Sequence, residues 1–213
     1  VTKIYQDLAK REKRVADELA AEARVACISA LSSSLTATAT ALVKILLKDD
    51  GRGRISEPAQ DLQALRVSPV LVQAKSSDLY QAERVVKKLL LDALKYGYEY
   101  DATERAKLIV AESDGLKIEV ALTEQELKDI ESFPISGMTA DEWAKRSVML
   151  LSNAIDQALA KPLTGGIDPA VIPGALSDAA NTHANGVASL VKEAFFAGGK
   201  AAMLALREAL SGH

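Results

Sequence analysis

The sequence contains one cysteine, Cys27, so no disulfide can close within the chain. A reducing compartment is the expected setting. Aromatic residues are also scarce, at five Tyr, three Phe and one Trp. That argues against a base-stacking platform and against a ligand pocket walled by rings. His183 is the only histidine inside the chain. Without a nearby cysteine or second histidine it lacks a usual zinc set. As a catalytic base it has no neighbouring nucleophile or orienting carboxylate in sequence. No apolar run reaches the roughly 18 residues that span a bilayer, and the segment from Val1 to Glu22 is dense in charge of both signs. Neither secretion nor membrane insertion is expected.

Charge of one sign is missing as well. The formal net charge is −3, with residues 1–100 at +3 and residues 101–213 at −6. Most of the acid lies in 101–142, where 11 carboxylates face 4 basic residues. Neither half has the basic balance of a dedicated nucleic-acid binder. The acidic segment reads as solvated helix surface.

Alanine and leucine, strong helix formers, are what the chain has in abundance. Ile4, Leu8, Val15, Leu19, Ala23 and Ala26 recur at helical spacing, and Ile28, Leu31, Leu35, Leu42, Ile45 and Leu46 resume the stripe. These predict a long helix over 2–48, bent near the hydroxyl-rich run Ser29–Thr40. Ser68-Pro69 is a cap-plus-proline start for a helix over 69–96 that stops at Gly97. Asp101 with Glu104 reads as a capping-box pair opening a helix over 102–113. Leu116–Val120 alternates apolar and polar, the one strand-like signal. Thr123 with Glu126, and Thr139 with Glu142, are two further capping boxes. Pro162 is expected to end the helix that starts at Thr139. Pro173-Gly174 should interrupt the next segment, and a final helix from about Ser177 to Leu210 should loosen at Gly198-Gly199. The expected fold class is all-α: long amphipathic helices in an elongated bundle, with at most one short β-hairpin or strand near 116–120. A division into residues 1–130 and residues 131–213 is expected.

Local motifs yield little chemistry. The segment Asp49–Ala59 looks like the centre of an EF-hand loop, but a register on Gly53 puts Lys48 at its first ligand position, Arg52 at its fifth and Ala59 at its twelfth. Calcium needs carboxylate oxygens at these places, so a polar connection is the reading. The glycine pairs lack phosphate-loop spacing. Cys27, among alanines, reads as a small core residue. No catalytic residue, metal ligand or cofactor is expected. Lys10, Arg11, Lys13 and Arg14 form the densest basic cluster, with acids interleaved. It reads as an ion-paired solvated surface, with DNA-backbone contact as the sharper alternative.

One stretch carries a resemblance. Phe133-Pro134-Ile135-Ser136-Gly137-Met138-Thr139, followed by Trp143, Arg146, a helix, a glycine turn containing Gly166 and a closing helix, resembles the head morphogenesis (minor head protein) family of tailed bacteriophages over roughly residues 131–210. Of that family's Arg-Thr-Glu signature in the closing helix, Glu193 is the matching position. The resemblance implies structural roles for Pro134, Gly137, Thr139, Trp143, Arg146, Gly166 and Glu193. It further implies a non-enzymatic virion component near the portal vertex, assembled in the bacterial host cytoplasm. Such a component acts in head morphogenesis, genome packaging or DNA delivery. Its expected partners are the portal protein, the major capsid protein or both, with several copies in an assembly and non-specific DNA contact but no membrane. The rival readings are a helical ligand-sensing or protein-interaction bundle and, third, an all-helical enzyme.

Overall fold

The computed structural model describes residues 2–46, 68–112, 123–164 and 169–211. These residues are 93% helical with no strand, which makes the fold all-α, a bundle of helices packed against one another. In chain order the elements are α1 (Thr2–Ser34), α2 (Thr36–Leu46), α3 (Pro69–Glu112), α4 (Glu124–Glu131), α5 (Ala140–Thr164), a 3-10 turn (Pro169–Val171) and α6 (Ile172–Ser211). The strand-like Leu116–Val120, the glycine turn with Gly166, and the calcium-loop look-alike around Gly53 lie outside the described residues.

Several start signals work as read. Ser68 O accepts the first helical hydrogen bond of α3 from Val72 N at 2.9 Å, with Pro69 at the first helical position. Thr123 and Glu126 form the reciprocal capping box of α4. The same box opens α5: Thr139 N donates to Glu142 Oε2 at 2.8 Å and Glu142 N to Thr139 Oγ1 at 3.3 Å. The run of hydroxyls breaks the first helical segment at Leu35. Ser33 and Thr36 donate their hydroxyls back to the carbonyls of Ala30 and Ser32, a pattern that loosens helices.

Expected stops fail, and tertiary packing explains two of them. The helices expected over 69–96 and 102–113 are one helix, α3, which passes through Gly97 and Asp101. A Cβ on Gly97 would lie 2.0 Å from the Phe195 carbonyl oxygen of α6. A Cβ on Gly198 would lie 2.0 Å from the Leu94 carbonyl oxygen of α3. These two glycines let the backbones touch, so they are contact points within helices rather than ends. Asp101 is buried and paired, not a cap. Pro162 does not stop α5, which continues to Thr164. Pro173 sits in the first turn of α6, where a missing N–H is tolerated, so Pro173-Gly174 does not interrupt it.

The chain forms two compact units, each made of segments distant in sequence. The first comprises residues 1–24, 87–143 and 187–213, and the second residues 25–86 and 144–186. In the first unit, Leu8, Ala16, Leu90, Leu94, Val187, Val191, Ala194 and Phe195 are buried. In the second, Leu31, Leu42, Val86, Leu151, Ile155, Ile172 and Ala184 are buried. Cys27 is buried in the second unit, as expected, and burial pushes its thiol up to about 11, which leaves it inert. By length and apolar composition, one helical stretch, Lys3–Ile45, is sufficient to cross a membrane, against the expectation from uninterrupted runs. Of its apolar window 35% is buried, and Leu8, Ala16, Cys27, Leu31, Leu35 and Leu42 are among the buried residues of the stretch.

Candidate functional site

The first unit holds the opening of the stretch that carries the resemblance, up to Trp143. After α4 the chain makes a two-residue turn in which Ile135 N donates to Met138 O at 2.7 Å and Met138 N to Ile135 O at 3.2 Å. Ser136 (φ 47°) and Gly137 (φ 90°) both have positive φ, as a type I′ turn requires. Trp143, on the first turn of α5, donates its indole N–H to Ile135 O at 2.6 Å. Ser136 donates its hydroxyl to Glu193 on α6. Gly137 therefore lies in the turn, Thr139 caps the helix that follows, Trp143 is bonded back to the turn and Glu193 is tied to it through Ser136, while Pro134 precedes it. Arg146 is exposed on α5 in the second unit, and Gly166 lies outside the described residues.

A second constellation of the first unit was not anticipated. Glu12 of α1, Asp101 and Arg105 of α3, and Phe195, Phe196, Lys200 and Met203 of α6 line a cleft of about 180 Å³. The Arg105 Nε–H is shared between the Asp101 oxygens at 2.9 and 2.8 Å. Arg105 Nη2 is 3.9 Å from Glu12 Oε1, an oxygen that is buried without a hydrogen-bond partner. Burial, and next the neighbouring Asp101 carboxyl, raise Glu12 to about 7 against the pull of Arg105 and Arg11. Beside the cleft the rings of Tyr96, Tyr100, Phe195 and Phe196 cluster, with centroids 5.6–6.2 Å apart. Four of the chain's few aromatics are thus gathered at one place.

The basic cluster on α1 is exposed, as expected. Two of its four members are engaged: Arg11 with Glu104 at 3.2 Å and Arg14 with Glu18 at 3.4 Å. Lys10 and Lys13 are exposed.

The second unit buries isolated polar groups instead. Asp78 accepts from the Thr38 backbone N–H at 3.1 Å and from its hydroxyl. Burial raises the Asp78 carboxyl above its ordinary range, and the two hydrogen bonds from Thr38 oppose that shift. His183 is 8% exposed, and its Nε2 has no hydrogen-bond partner. Burial lowers it to about 4, so it is neutral near pH 7. A small groove of about 130 Å³ lies beside Leu35, Thr36, Leu176 and Ala180. Among the described residues no group of three or more His, Cys, Asp or Glu could hold a metal ion.

A sequence signal for these groups existed. Glu12 stands between Leu8 and Ala16 at spacings of four, on the buried stripe of α1. Thr38 lies between Leu35 and Leu42, and His183 between Ala180 and Val187, each at helical spacing on a buried stripe.

Fold and site together define a helical-bundle protein with an acid–base cleft. Comparison with protein-family models, curated proteins and solved structures finds no match to this chain.

Proposed function

We propose that this protein is a non-enzymatic structural component of a tailed-phage virion, a minor head protein that works through helix-mediated contacts with portal or capsid protein. The observation that carries the reading is the turn over residues 134–139. Part of the resemblance comes together: the type I′ turn with Gly137, the Thr139 capping box, the Trp143 indole and Glu193 form one hydrogen-bonded feature, whereas Arg146 lies on α5 in the second unit. Helices that leave adjacent apolar pairs uncovered are consistent with further protein contacts. Met149 and Leu150 are 67% and 57% exposed on α5, and Met203 and Leu204 are likewise exposed on α6. Exposed Lys10 and Lys13 suit weak, salt-sensitive contact with a DNA backbone.

Mass spectrometry of purified virions, with a pull-down probed for portal protein, tests this reading. Presence in virions and recovery of portal support it, and absence from both removes it. The cleft beside the aromatic cluster favours a second reading, a ligand-sensing helical bundle. A metabolite bound in stoichiometric amount in native mass spectrometry would establish that reading in place of the first.

A further inference from the structure

Within the first unit, two carboxyl groups face one guanidinium. The Arg105 Nε–H is committed to Asp101, at 2.9 and 2.8 Å from its two oxygens. Glu12 Oε1, 3.9 Å from Arg105 Nη2, is beyond hydrogen-bond reach and has no other partner. A buried carboxylate oxygen without a partner is disfavoured. Two acids in this position relieve the surplus charge by sharing a proton.

We propose that Glu12 and Asp101 form a proton-dependent clasp between α1 and α3: with the proton, the Glu12 carboxyl donates to the Asp101 carboxylate, and without it the two charges repel and loosen α1 at this point. The groups around Glu12 define the balance. On α1, Arg11 is drawn to Glu104 at 3.2 Å. On α3 stand Asp101, Arg105, Glu104 and Tyr100, the last raised by its own burial, next by Glu104 and in smaller part by Glu12. On α6, Lys200 lines the same cleft. Burial is the largest influence on Glu12, Asp101 comes next, and Arg105 and Arg11 oppose both.

The sign follows from proton linkage. The folded chain holds the Glu12 proton more tightly than the unfolded chain does. The stabilisation is therefore complete below the ordinary value of 4.5 and is lost as pH rises through about 7. The clasp stands on the geometry of this unit and does not rest on the assembly role.

The test uses the full chain. Carboxyl-carbon NMR titration should place the Glu12 midpoint near 7, with the Asp101 carbon shifting in the same step. Amide hydrogen exchange along residues 8–16 is compared between wild type and Glu12→Gln at a mildly acidic and a mildly alkaline pH, a ratio that cancels the intrinsic pH dependence of exchange. Relative to Glu12→Gln, wild-type protection should fall about tenfold at the alkaline pH, the equivalent of one pKa unit. A Glu12 midpoint at its ordinary value, or an unchanged protection ratio, overturns the proposal. Should Glu12→Gln not fold, the wild-type titration decides it alone.

Discussion

The two compact units are built from the same kind of helix but held by different means. The first relies on backbone contact at Gly97 and Gly198 and on ion pairs between and along its helices, Arg11–Glu104, Arg105–Asp101 and Lys192–Asp17. The second has the Lys75–Asp156 pair at 2.7 Å and buries single polar groups, Asp78 with Thr38, and His183. The difference shows in the expected response to pH. Glu12 weakens the first unit as pH rises, whereas His183 weakens the second as pH falls. Helical content alone would not separate the two units. Their buried ionisable groups do.

The comparison can be broken most forcefully at the glycine contact. Gly198→Ala places a methyl 2.0 Å from a backbone oxygen that cannot turn aside, so the two helices must separate. The loss should be about 3 kcal/mol, the upper range for overpacking. Urea unfolding measures it, and hydrogen exchange should locate the lost protection on α3 near Leu94. A change below 1 kcal/mol would deny the close approach.

In the second unit, Asp78→Ala strands two buried donors of Thr38. The expected cost is about 2 kcal/mol, read as a lower urea midpoint. Asp78→Asn retains an acceptor and should recover part of it.

The pH contrast is sharpened by His183→Leu. Folded His183 is lowered to about 4 from its ordinary 6.5, so its contribution is complete above 6.5 and is lost as pH falls toward 4. Wild type should lose about 2 kcal/mol between pH 7 and pH 5 relative to the variant. Asp78 is raised and so contributes with the opposite sign, but it is common to both proteins and cancels. Parallel pH profiles for the two would rule out a buried neutral histidine.

The smallest effect belongs to the turn. Gly137→Ala puts a side chain at φ 90° with open space around it, so backbone strain alone acts. A loss of about 1 kcal/mol is expected. Hydrogen exchange should confine it to the first unit, with Leu42 and Leu151 of the second unaffected.

The helix starts were legible because each is a local event. Ser68-Pro69, Thr123 with Glu126, and Thr139 with Glu142 satisfy orphan N–H groups within about one turn of chain. The helix ends were misread wherever glycine had a distant reason to be there. Gly97 and Gly198 look like punctuation until Phe195 and Leu94 are placed against them. Asp101 resembled a cap because Glu104 follows three residues later, yet its partner is Arg105. The candidate cleft went unread for the same reason: Glu12 was counted among surface charges, although its spacing from Leu8 and Ala16 puts it on the buried face.

By itself the sequence determined an all-α chain, its capped helix starts, its inert cysteine and the break near the hydroxyl run, because these follow from hydrogen bonds and side-chain periodicity within a few residues. Only the tertiary structure decided that α3 and α6 run unbroken, that the compact units interleave along the chain, and that Glu12 and Asp101 line one cleft. Those outcomes join residues some ninety positions apart, as Arg11 and Glu104 do with a separation of 93. Local propensity carries no information about which distant backbone or charge will arrive.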